Sequence, residues 1–173
     1  MSSIRKSRNK RKAVENVPGI PHVEIVDRQR KFQLDLGRLE RETARALDCL
    51  RAEWNPEINR IEIVLVSPAM SGKVHGRFCG DGSMTDVITF AHGELVVCPA
   101  VAERQRKGRG LDLHEEVLTY ICHGLLHLCG EEDGSEAGFA RMARRQDEIR
   151  RRVLVGARGA GKGALRKKVK RKP

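Results

Sequence analysis

The run His123-Gly124-Leu125-Leu126-His127-Leu128-Cys129-Gly130-Glu131-Glu132-Asp133 constrains this chain more than any other stretch. If Val117 to His127 is helical, the two histidines lie one turn apart on one face. Leu125, Leu126 and Leu128 make that helix apolar, so it is expected to be buried. A buried imidazole must find a partner, and one shared divalent metal satisfies two of them together. Gly130 can take the left-handed conformation that ends a helix. The chain then turns and can return Asp133, Glu132 or Glu131 as a third ligand. Three protein ligands leave a fourth position for water, the arrangement of a hydrolytic zinc site.

What the motif lacks also narrows the chemistry. Zinc peptidases of the His-Glu-x-x-His type place a general-base glutamate directly after the first histidine. That position is Gly124 here. This weighs against peptide hydrolysis and leaves metal-assisted attack on another electrophile, such as a phosphodiester.

These residues resemble the YbeY family, bacterial metal-dependent endoribonucleases also described as rRNA maturation factors. The family pattern His-Gly-x-Leu-His-Leu-x-Gly-x-Asp-His is matched through Gly130, after which Glu132 and Asp133 stand where the family has Asp and the third His. A second family stretch, Thr-Asp-Val-Leu-Ser-Phe, is found as Thr85-Asp86-Val87-Ile88-Thr89-Phe90, and Gly93-Glu94-Leu95 echoes a Gly-Asp-Ile strand start. The resemblance implies a single-strand-specific endoribonuclease acting in rRNA maturation and ribosome quality control. It implies one zinc ion per chain held by His123, His127 and Asp133, with Thr85 and Asp86 at the wall of the substrate cleft. An aspartate in the third place makes the site less positive and its bound water less acidic, and makes manganese or nickel less remote. The family also carries an arginine a few residues before the Thr-Asp pair that acts on substrate phosphate. Ungapped counting puts Cys79 there, and Arg77, two residues earlier, is expected to serve if the intervening loop allows it. His123 and Arg77 are thus the expected catalytic residues. The rivals are a zinc metallopeptidase and a non-catalytic ribosome-assembly or RNA-binding protein with a structural metal.

The net charge of +11 is unevenly placed. Met1 to Lys12 holds 6 basic residues and no acids, and Ala157 to Pro173 holds 8 and no acids, which leaves 20 basic and 23 acidic residues between them. The body is therefore slightly acidic, and residues 1–17 and 156–173 are expected to be disordered basic arms around a domain at 18–155. Such arms neutralise phosphates without reading sequence, which favours RNA and the ribosomal subunit as partners. With aromatic residues at 3%, the core must be aliphatic and base-stacking material is scarce. Five cysteines without a CxxC pair, no signal-peptide core and no membrane-length apolar run point to the cytoplasm. Cys122 and Cys129 flank the motif and merit testing as ligands.

The pattern predicts a strand at Val23–Val26, a helix at Leu34–Trp54 and a strand at Ile61–Val66. Ser67 to Met84 reads as a long glycine-rich loop, followed by strands at Asp86–Phe90 and Glu94–Cys98. Helices follow at Pro99–Lys107, Leu113–Leu128 and Ser135–Val153, with a basic loop at Arg106–Gly110. The expected fold is α+β: one domain, a small mixed sheet packed with several helices, and the metal motif on a central helix. Gly156 to Lys162 is close to a phosphate-binding loop, but Gly163 replaces the required Ser or Thr, so no nucleotide cofactor is expected.

Overall fold

The computed structural model describes residues 19–165. Residues 1–17, the expected N-terminal arm, and the tail from 166 onward lie outside the described residues. The elements are β1 His22–Asp27, α1 Leu36–Cys49, β2 Arg60–Leu65, α2 Pro68–Cys79, β3 Val87–Phe90, β4 Glu94–Val97, α3 Pro99–Arg109, α4 Leu113–Leu128 and α5 Glu136–Leu165. The strands form one sheet in the order β1-β2-β4-β3, with β1, β2 and β4 parallel and β3 antiparallel at the edge. This is the mixed-sheet α+β domain that the sequence pattern predicts.

Alternation along the strands divides the core in two. Ile61, Ile63 and Leu65 of β2 and Leu95 and Val97 of β4 face a large cluster shared with α1, α3, α4 and α5. Val64, Val66, Ile88 and Val96 face the other way, where Val74 of α2 packs on them. The β3–β4 hairpin depends on Gly93. Its φ is +103°, and a Cβ there would lie 2.4 Å from the Arg60 carbonyl oxygen, so a side chain would break the junction with β2.

The segment Ser67 to Met84 departs from the predicted loop, because most of it is α2. Ser67 caps the helix by accepting the Met70 N–H, Pro68 stands in the first turn, and Gly80 ends it at φ +76°. Gly72 and Gly76 face the returning chain. A Cβ on Gly72 would lie 2.6 Å from the Gly82 carbonyl oxygen, so these glycines permit close packing and are not signs of slack. The first helix is shorter than predicted, since the chain turns after Leu50 and the Trp54 indole N–H reaches the Ile58 carbonyl at 3.0 Å. Arg106 to Arg109, expected as a loop, form the last turn of α3, closed by Gly110 at φ +66°. The last helix runs on to Leu165 instead of stopping near Val153, which takes the Gly156–Lys162 stretch into helix.

Helix α4 is buried along most of its length, with Leu118, Ile121, Leu125 and Leu126 fully covered. Asp112 and Glu115 form a reciprocal capping box at its start. Among the buried charged groups around it is Glu42 of α1, which accepts from His114 Nε2 at 2.6 Å and from Arg38 Nε at 2.8 Å. Burial pushes the Glu42 carboxyl up, but the His114 and Arg38 hydrogen bonds outweigh it and leave the group below its ordinary 4.5. A carboxylate lowered on folding contributes stability that is complete above about pH 4.5 and fades as the pH falls through the lower folded value. Urea unfolding between pH 7 and pH 3 is therefore expected to show a steeper acid loss for the wild type than for Glu42→Gln. His114→Ala is expected to cost about 3 kcal/mol at neutral pH.

Candidate metal centre

His123 and His127 project from the same side of α4 with ring centroids 4.6 Å apart and planes at 83°. Their Nε2 atoms lie 3.0 Å from each other. Nδ1 of His127 faces the Glu131 carbonyl oxygen at 2.9 Å, and Nδ1 of His123 faces the Gln146 Oε1 at 2.9 Å. Both partners are acceptors, so both Nδ1 atoms carry the hydrogen. Neutral imidazoles held this way turn two Nε2 lone pairs toward one point. Asp133 approaches the same point, with Oδ2 3.4 Å from His123 Nε2 and Oδ1 4.0 Å from His127 Nε2. One ligand atom from each of the three lies within 4.8 Å of the others, the spread that one divalent ion spans.

The acidic turn is shaped by backbone geometry. Gly130 stands at φ +87°, its N–H bonded to the His127 carbonyl at 2.9 Å. Ser135 Oγ accepts the Gly138 N–H at 3.1 Å, and a Cβ on Gly138 would lie 2.5 Å from the Glu132 carbonyl oxygen. The loop is thus pinned at both ends. The Glu131 side chain is turned away to α5, where Arg141 and Arg145 bind it and hold its carboxyl below the usual range. Arg145 also reaches Glu53 at 2.8 Å. Glu132 is exposed. Of the three expected carboxylates, Asp133 is the one brought to both imidazoles.

Two cavities flank the histidine pair. One of about 290 Å³ is lined by His123 together with Asp86, Arg109, Tyr120, Phe139 and Gln146. The other, about 380 Å³, is lined by His127 with His75, Cys79, Thr89 and Ala91. Asp86 takes its place because its Oδ1 accepts the Val87 N–H at 2.8 Å and the Thr85 hydroxyl at 3.1 Å. Thr85 is itself fixed by Ser71 Oγ at 3.1 Å, so it positions Asp86.

Arg77 lies on the exposed side of α2, its guanidinium 5.6 Å from the centre of the Phe78 ring. Because α2 is continuous helix, no loop slack carries Arg77 to the place of Cys79, which lines the His127 cavity. The cation on the other cavity's wall is Arg109, held by Glu116 at 3.2 Å and Asp147 at 2.9 Å. Sequence reasoning passed over Arg109 and Gln146; a basic residue just before a helix-ending glycine was the only local signal. All five cysteines are free. Burial pushes the Cys122 thiol up to about 12 and that of Cys129 up to about 11. Neither belongs to the group of side chains that could share an ion with the two histidines.

Gly124 packs against the sheet. A Cβ there would lie 2.5 Å from Leu95 Cδ2 and 2.9 Å from Thr89 Oγ1. The packing leaves no room for a larger side chain here without a shift of Leu95 or Thr89, so the general-base glutamate of the His-Glu-x-x-His peptidases has no counterpart at this position.

Fold and site together define a class: an α+β domain whose central helix carries a hydrolase-type His-x-x-x-His motif, completed by a carboxylate from beyond a left-handed turn. The family model described as Endoribonuclease YbeY matches residues 24–153, and the chain belongs to that family. A Bdellovibrio bacteriovorus protein named Endoribonuclease YbeY is 35% identical over 94 residues, which are 50% of this chain and 63% of that one. A Thermus thermophilus protein of the same name is 28% identical over 139 residues, covering 73% of this chain and 97% of its own. The fold is similar to a Thermotoga maritima solution structure at a TM-score of 0.53 and 21% identity, over 80% of this chain and 93% of that one.

Because Gly124 is in contact with β3 and β4, Gly124→Ala is expected to lower stability by about 1–3 kcal/mol through overpacking. Chemical denaturation of the two proteins measures it, and an unchanged midpoint would show that α4 stands off the sheet.

Proposed function

We propose that this chain is a metal-dependent endoribonuclease that cleaves single-stranded RNA in rRNA maturation and ribosome quality control. The observation that carries this is the convergence of two Nε2 lone pairs and the Asp133 carboxylate on one point beside two solvent-open cavities. The donor set fits a single zinc ion, with His123, His127 and Asp133 as its ligands; two imidazoles favour zinc over harder ions. Bound there, such an ion supplies an acidified water and polarises a phosphoryl oxygen.

The remaining work falls to this chain's own side chains. The Glu131 carbonyl and Gln146 fix the orientation of both imidazoles. Asp86, on the wall beside His123, offers a carboxylate that can accept a substrate hydroxyl. Arg109 brings positive charge to the same wall, suited to the phosphate. In this reading Arg77, exposed on α2, would meet RNA outside the cavity, and Thr85 would act through Asp86, to which its hydroxyl donates. The flanking basic segments add affinity for phosphate and suit a ribosomal partner. Free cysteines agree with a cytoplasmic setting. Among the described residues no helix is long and apolar enough to cross a membrane.

Zinc-loaded protein is expected to cut unstructured RNA and to leave casein intact. Chelation should abolish cleavage and zinc should restore it. His123→Ala and Asp133→Asn are expected to lose zinc and cleavage while remaining folded. Gln146→Ala, which frees one ring, is expected to weaken zinc binding by about 10–100-fold. RNA cleavage that survives in zinc-free His123→Ala would overturn the proposal.

A further inference from the structure

We infer that the cavity beside His123 receives one nucleobase of the RNA, with the Tyr120 hydroxyl bonded to its edge and the Phe139 ring against its face. The inference rests on the endoribonuclease reading and adds to it the part of the substrate that is recognised.

The stripe of α4 that carries the two histidines does not end at His123. Tyr120 and Glu116 precede it at helical spacing, so Glu116, Tyr120, His123 and His127 share one side of the helix. Tyr120 lines the cavity of about 290 Å³ together with His123, Asp86, Gln105, Arg109 and Phe139. It is 3% exposed, and its hydroxyl is buried without a hydrogen-bond partner. Burial, reinforced by the Glu116 and Asp86 carboxylates, holds its pKa well above the ordinary value, so the group is a neutral hydroxyl with a hydrogen to donate. One turn earlier, the fully buried Glu116 holds Arg109 Nη1 at 3.2 Å with one oxygen and leaves the other without a partner. Two buried oxygens on one helical stripe are thus unsatisfied by the protein itself. A buried polar atom left unpaired costs free energy that a ligand recovers by bonding to it.

Phe139 brings the opposite character to the same cavity. Its ring is 62% exposed although the core of the protein is aliphatic. A flat apolar surface and an unpaired hydroxyl therefore meet in one small space. A nucleobase has the matching chemistry, an aromatic face with donors and acceptors around its edge. Arg109 and Asp86 suit the phosphate and a ribose hydroxyl, which leaves Tyr120 and Phe139 for the base. The volume stands at the lower end of small-ligand sites, enough for one nucleoside and too little for a folded strand. A base in a duplex spends its edge on the opposite strand and cannot enter, so the same cavity selects single strands.

The test is binding of the full chain, with EDTA present to prevent cleavage, to an unstructured oligoribonucleotide and to an abasic oligomer with the same sugar–phosphate backbone. Fluorescence anisotropy reads both. The wild type is expected to bind the base-bearing oligomer at least about tenfold more tightly. Tyr120→Phe removes the hydroxyl and keeps the ring; it should reduce that preference by about fivefold or more. Phe139→Ala should reduce it by a similar factor of about five. Affinity for the abasic oligomer should be the same in all three proteins. Because the hydroxyl has no partner within the protein, the urea midpoint of Tyr120→Phe should equal or exceed that of the wild type. A wild type without preference, a preference that either variant leaves intact, or a loss shared equally by both oligomers overturns the inference. A lowered midpoint for Tyr120→Phe also overturns it, since the hydroxyl would then serve the fold. Failure of the zinc-loaded wild type to cut the base-bearing oligomer would instead overturn the nuclease reading, whatever the binding preference.

Discussion

Two imidazole lone pairs facing each other across 3.0 Å repel unless a cation lies between them. The structure holds them in that opposition from both sides. A main-chain carbonyl that can only accept fixes His127, and a glutamine from α5 fixes His123. A helix that merely buried two histidines would let each Nε2 turn to its own donor. Here both rings can turn to one shared ion, and the adjacent Asp133 brings the negative charge that would favour a divalent one.

The fold supplies the conditions for this commitment. Helix α4 is wrapped by α1, α3, α5 and the sheet, so its rotation is set by Leu118, Ile121 and Leu125 on the buried side. Gly124 lets the helix descend until its backbone meets Leu95 and Thr89, which turns His123 and His127 toward the open edge at β3. The turn that delivers Asp133 is locked to α5 by Glu131, Arg141 and Arg145. Long-range ion pairs and one close glycine contact thus stand behind a motif that looks local in sequence.

Much of this was legible in the residues. Alternating aliphatics located every strand within a residue or two, and the His-x-x-x-His spacing with its apolar neighbours gave the limits of α4. Asp133 followed from Gly130 and the register. The stretch Ser67 to Met84 was misread because glycine was taken as flexibility, when Gly72 and Gly76 are there to admit the Gly82 backbone. The loop expected to carry Arg77 to the place of Cys79 is helix, whose periodicity turns Arg77 away from the face that carries His75 and Cys79. Arg109 and Gln146 could not be found locally. Their partners are Glu116 and Asp147 in one case and His123 in the other, and only the packing of α3, α4 and α5 brings these together. The scarcity of aromatic residues was correctly read for the core, which is aliphatic.

The central claim concerns the atoms that grip the metal. X-ray absorption spectroscopy of the zinc-loaded protein reads them directly. The account predicts two imidazole nitrogens with oxygen donors at about 2.0–2.2 Å and no sulfur. A sulfur shell near about 2.3 Å, or fewer than two imidazoles, would contradict it.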